Sequence, residues 1–162
     1  EPRQFLSRLC GTGALAAVDA VGDHPYSYPV PPDYAASWNA WQQMSNTPVS
    51  LRSVMEGCGA GNKQIWVTEY GAPTNGPGTA STVGSYNLAA RPDHVSEQLQ
   101  SVMATQSVDD AKASPWMGAL FWYSARDRGT LRTTNQNFFG LRRYDGTAKP
   151  AWAAMRSAIA AG

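Results

Sequence analysis

Long apolar runs are missing from this sequence. None approaches the roughly 20 residues that a membrane-spanning helix needs, so no membrane span is expected. A surplus of either charge is also missing. Thirteen Lys and Arg stand against 12 Asp and Glu, a net charge of +1. That balance leaves no electrostatic footprint for nucleic acid or an anionic membrane surface. Cysteine is limited to Cys10 and Cys58, with no Cys-x-x-Cys and no metal-ligand spacing. This excludes a disulfide-rich scaffold and gives no reason to expect a metal or cofactor. Internal repeats, low-complexity segments and composition breaks are absent, so residues 1–162 are expected to form a single domain. The chain opens on Glu1 rather than Met. That leaves room for a processed or trimmed upstream segment, and hence for a secreted or cell-envelope location.

What is present suits a core. Hydrophobic residues make up 43% and charged residues 15%, a composition that disorder does not fit. Six Trp and seven Tyr are many for this length. They either fill the core or offer flat faces for stacking. The most informative stretch is Lys63 to Pro73. Its centre, Ile65-Trp66-Val67-Thr68, is β-branched and aromatic, as in a buried strand, and Gly71 and Pro73 stop it. Glu69 therefore falls at the carboxyl end of a strand. A carboxylate there is costly unless it is hydrogen-bonded or opens into a polar cleft. In parallel sheets and barrels, the carboxyl ends of the strands are where ligands bind.

The rest of the chain alternates around that strand. Pro2 to Cys10 reads as a short helix, and Ala17 to Asp23 as a strand ending in His24-Pro25-Tyr26. Ala36 to Met44 carries Trp38, Trp41 and Met44 at steps of three, and Ser50 caps a helix over Leu51 to Glu56. A long loop, Ala72 to Pro92, follows the central strand. A helix starting at Asp93 or Ser96 runs to Ser114-Pro115, with Leu99, Val102, Met103 and Gln106 on its inner face. Trp116 to Tyr123 is nearly continuous in apolar residues, as expected of a strand covered on both faces. Pro150 to Ala160 makes a last helix. The alternation predicts an α/β fold with a parallel sheet and crossover helices.

Three strand ends then carry chemistry on one rim: His24 and Tyr26, Glu69, and Trp122 and Tyr123. A carboxylate flanked by an imidazole, a phenol and an indole suits attack at an anomeric carbon over an aromatic platform. Bland readings compete. His24 fits a satisfied core histidine, and Tyr26 and Tyr70 fit ordinary rim aromatics. Trp66 is expected to turn toward the helices. His94 is expected at the surface. Arg126, Asp127 and Arg128 read as a solvated loop or local ion pair that could instead touch substrate.

The segments Asp19 to Tyr26, Ile65 to Gly71 and Leu120 to Tyr123 resemble strands six, seven and eight of retaining glycoside hydrolases. The group is the cellulase-like clan on the TIM (β/α)8 barrel, cellulases and β-xylosidases among them. Phe138-Phe139-Gly140-Leu141 and Lys149-Pro150-Ala151-Trp152 are similar to that group's ending. The resemblance implies a partial TIM barrel, since a full one needs about 250 residues. It also implies Glu69 as nucleophile, with His24, Tyr26, Tyr70, Trp122 and Tyr123 toward an oligo- or polysaccharide substrate and Trp122 as the stacking platform. The group's acid/base Glu would lie upstream of Glu1. Retaining hydrolysis uses two carboxyls about 5–5.5 Å apart, and this chain supplies one.

A glycosidase fragment, a carbohydrate-binding or remnant half-barrel, and a barrel with lyase or transferase chemistry all fit the sequence. Three strands leave open edges, with Val21, Val67 and Phe121 expected to face absent partners. An N-terminal half-barrel or self-association is therefore expected. Cys10 and Cys58 end two helices on one edge of the sheet. A disulfide needs Cα atoms within about 7 Å, whereas neighbouring helices usually lie about 8–10 Å apart. On that spacing the pair is expected to remain unbridged.

Overall fold

The computed structural model describes residues 1–161. Its framework is a three-stranded parallel sheet: β1 (Ala20–Asp23), β2 (Gln64–Tyr70) and β5 (Met117–Trp122), in that order. The first crossover, β1 to β2, contains α2 (Ala40–Gln43) and α3 (Leu51–Gly57). The second, β2 to β5, contains a two-stranded parallel ribbon, β3 (Ala80–Ser81) and β4 (His94–Val95), and then α4 (Glu97–Ala113). α1 (Pro2–Gly11) precedes the sheet and α5 (Pro150–Ala160) closes the chain. Among the described residues, no helix is long and apolar enough to cross a membrane.

Local chemistry sets the helix starts. Ser50 and Ser53 form a reciprocal capping box on α3, with Ser53 N donating to Ser50 Oγ at 3.0 Å. Ser96 accepts from Leu99 N at 3.1 Å and begins α4. Pro150 suits the first turn of α5, where its missing N–H has no partner to lose. Two expected elements are shorter than read. The strand over 17–23 begins only at Ala20, because Ala14–Ala17 is a 3₁₀ turn. The aromatic run 36–44 gives just one helical turn.

One face of the sheet builds the core. Ile65, Val67 and Tyr70 of β2 pack with Leu51 and Met55 of α3 and with Leu99 and Met103 of α4. The opposite face is open: Gln64, Trp66 and Thr68 are exposed, and Phe121 of β5 is 56% exposed. This reverses part of the sequence reading. Trp66 is 42% exposed rather than turned to the helices, and Val67 is fully buried rather than facing an absent strand. The strand at 117–122 is likewise covered on one face, not both. A shift of one residue in facing exchanges the two sides of a strand, and an apolar strand carries little alternation to fix the choice.

The cysteines also differ from expectation. Cys10 and Cys58 form a disulfide, with Cα atoms 5.8 Å apart. The spacing of helix axes does not govern here. Cys10 lies in the last turn of α1, and Cys58 is the residue just past α3, where the backbone leaves the helix.

Candidate active site

Glu69 sits at the end of β2 on the rim where the strands leave the sheet. The pairing register between β2 and β5 shifts between Val67 and Tyr70. Such an irregularity can re-aim a side chain. Here Glu69 is left half-exposed between exposed Thr68 and buried Tyr70. Tyr26 Oη donates to Glu69 Oε2 at 2.9 Å. His24 Nδ1 lies 3.6 Å from the same oxygen, an ion pair whenever the imidazole is protonated. Burial, and then the hydrogen bond to Glu69, push the Tyr26 phenol well above its ordinary range. The phenol thus stays a donor at any ordinary pH. A carboxylate with one oxygen held in this way keeps the other available to attack an electrophilic carbon.

Aromatic rings line one side of this rim. Phe139 is their buried hub, with ring centroids 5.9 Å from Tyr26, 5.6 Å from Tyr28 and 5.4 Å from Tyr123, all edge-on. Arg128 Nη1 donates to Tyr123 Oη at 3.1 Å. Phe139 and Tyr28 escaped the sequence reading of the site. Phe139 could have been found as an aromatic next to Gly140; Tyr28 gave no signal among the loop prolines.

Two expected site residues lie elsewhere. Tyr70 is fully buried; its hydroxyl meets Ser27 Oγ at 2.9 Å and its ring packs 4.6 Å from that of Trp41. It belongs to the core, not to a substrate surface. Trp122, expected as the platform, pairs with Tyr70 across the sheet and shares its inward face. Its ring stands edge-on to Tyr70, and its indole N–H donates to Phe139 O at 3.2 Å. Alternation then sends Tyr123, not Trp122, to the rim.

A buried ion pair anchors the loops that surround the rim. Lys149 Nζ donates to Asp127 Oδ1 at 2.7 Å, Thr74 Oγ1 at 2.8 Å and Phe138 O at 3.0 Å. Asp127 Oδ1 also accepts from Gly140 N at 2.8 Å. Desolvation pushes Asp127 up and Lys149 down, each against the partner that holds it charged. Asp127 is therefore not part of a solvated loop, as its neighbours Arg126 and Arg128 are. Gly140 sits so close to the segment after β5 that a Cβ would fall on backbone atoms of Arg126 and Asp127. A Cβ on Gly71 would fall on the Tyr123 carbonyl. His94, expected at the surface, is buried, with Nδ1 2.7 Å from Asp93 Oδ1. Asp93 Oδ2 accepts from Gly78 N at 3.2 Å, which folds the long loop over this pair. Among the described residues, no three His, Cys, Asp or Glu side chains cluster as a metal site would require.

The fold has counterparts among solved structures. A family 39 glycoside hydrolase from Bacteroides cellulosilyticus WH2 superposes with a TM-score of 0.65 at 21% identity, over 93% of this chain and 29% of its own. A GH2 β-galacturonidase from Eisenbergiella tayi gives 0.60 at 14% identity, over 91% of this chain and 24% of its own. Xylanase 10B from Thermotoga maritima gives 0.52 at 14% identity, over 98% and 41%. The chain thus spans less than half the length of each. No protein-family model matches the chain, and no curated protein does. At these identities the likeness is one of fold: the chain is α/β, with the parallel-sheet architecture of part of a glycoside hydrolase.

Proposed function

We propose that the chain is the nucleophile-bearing, C-terminal portion of a retaining glycoside hydrolase barrel, equivalent to strands six to eight. Glu69 is its nucleophile. The observation that carries this reading is the Tyr26–Glu69 hydrogen bond at the strand end, with His24 beside the same oxygen. Tyr26 and His24 aim and hold the carboxylate, and Tyr123 supplies the aromatic wall for an oligo- or polysaccharide. The acid/base carboxyl comes from outside this chain. Asp23, at the neighbouring strand end, lines an apolar hollow with Phe5, Leu9 and Leu51 and so does not serve. The Cys10–Cys58 bridge fits an oxidising, extracytoplasmic compartment.

A second reading, a carbohydrate-binding module without cleavage, draws on the same lone carboxylate. One experiment separates the two. A dinitrophenyl 2-deoxy-2-fluoroglycoside carries a leaving group that needs no acid. Glu69 attacks C1, the new C–O bond forms, and dinitrophenolate leaves with its electron pair. Intact mass should show one glycosyl adduct, mapped to Glu69 and absent from Glu69→Gln. Binding without an adduct would favour the second reading. Neither binding nor adduct would refute both.

A further inference from the structure

The segment 124–132 after β5 carries Arg126, Asp127, Arg128 and Arg132. Its one carboxylate is turned inward onto Lys149. The three guanidiniums are left outside, and each has a different setting. Arg126 lies 5.6 Å from the Tyr144 ring. Arg132 borders a separate hollow with Arg143, Tyr144 and Asp145. Arg128 alone reaches the rim, through its bond to Tyr123 Oη. Among the described residues, Arg128 has no carboxylate partner.

We propose that Arg128 makes this rim selective for sugars with an anionic substituent, a uronate carboxylate or a sulfate ester. The inference rests on the glycoside-binding reading above. One guanidinium N–H is spent on Tyr123, and that contact orients the planar fork. The remaining donors match the two oxygens of a carboxylate or sulfate. Glu69 repels any anion near it, so the charged substituent must sit toward Tyr123, where Arg128 offsets it. A neutral sugar hydroxyl gains no such charge-assisted bond.

Calorimetry on the full chain tests this with methyl β-glycosides in gluco and galacto configuration, each as neutral sugar, uronide and 6-sulfate. The uronide or the sulfate should bind about tenfold more tightly than its neutral counterpart, the worth of one charge-assisted hydrogen bond. The two anionic arms identify which group is preferred, and added salt should shrink the preference. Arg128→Gln should bring the ratio of anionic to neutral affinity, both measured on that variant, to about one; Arg132→Gln, an equal change in net charge away from the rim, should leave the ratio intact. Circular dichroism checks that both variants fold. Equal affinity for neutral and anionic ligands, or a preference that survives Arg128→Gln, would overturn the role of Arg128 alone. No binding of any ligand would overturn the glycoside reading with it.

Discussion

The phenol of Tyr26, just past β1, donates to Glu69 Oε2 at 2.9 Å, so two neighbouring parallel strands meet at one carboxylate. The contact joins residues 43 apart in sequence and exists only if both strand ends share a rim.

Its first consequence is spectroscopic. The Tyr26 phenol is held above its ordinary 10.0, first through burial and second through Glu69, which accepts its hydrogen bond and repels the phenolate. Glu69→Gln removes the second cause and keeps the first. The Tyr26 titration, followed by NMR of labelled tyrosine, should move down without returning to 10.0. An unmoved titration would mean that the two groups do not interact in solution.

Lys149 gives a stability prediction. Lys149→Met leaves the Asp127 carboxylate buried without its partner, which costs roughly 3–5 kcal/mol. Lys149→Met combined with Asp127→Leu should recover much of that loss, because an apolar pair replaces an ion pair whose desolvation nearly cancels its attraction. Urea midpoints for the two variants decide it. A double variant no better than the single one would show that the hydrogen bonds to Thr74, Phe138 and Gly140 matter more than the charges.

Asp23 sets a dependence on pH. Burial raises its folded-state pKa above the ordinary 3.8. The native state therefore binds a proton at pH values where the unfolded chain has released it. Stability should fall as pH rises from about that unfolded value through the folded one, and then level off. Asp23→Asn should remove this slope and raise the melting temperature at pH 7 more than at pH 4. Parallel melting curves for the two proteins would contradict this.

The disulfide closes a long loop, its two cysteines 48 positions apart in sequence. Loop-closure entropy for that length is worth about 4 kcal/mol, an upper bound for a chain with residual unfolded structure. Reduction, or Cys10→Ser with Cys58→Ser, should lower the urea midpoint accordingly. Equal thiol counts before and after reductant would rule the bridge out.

Trp66 and Phe121 expose apolar surface on the open face of the sheet. The isolated chain is expected to self-associate, and Trp66→Ser with Phe121→Ser should shift sedimentation toward the monomer. A monomeric parent chain at high concentration would contradict the expectation.

The sequence made β2, its stop at Gly71 and the position of Glu69 legible, because composition and punctuation act locally. It also placed the helix cap at Ser50, and offered Ser96 beside Asp93 as the start of the next helix, where the structure takes Ser96. What it hid was set by distant partners. The inward turn of Trp122 follows from its pairing with Tyr70 after a register shift. The exposure of Trp66 depends on which face the helices cover. The burial of His94 and Asp127 depends on Asp93 and Lys149, and a side chain's counter-ion leaves no mark on its own residue. Cys10 and Cys58 were placed correctly at helix ends, yet helix-axis spacing was the wrong measure for residues at the ends.

On the open face, Trp66 lies over Gly118 of the adjacent strand, with its indole N–H 3.4 Å from Gln64 Oε1. One strand's largest side chain thus occupies the space that its neighbour leaves by having none. Any segment that closes this sheet inherits the uneven surface. Trp66 and Gly118 therefore complement each other in size across two neighbouring strands, and the relief of the open face is set by residues of this chain alone.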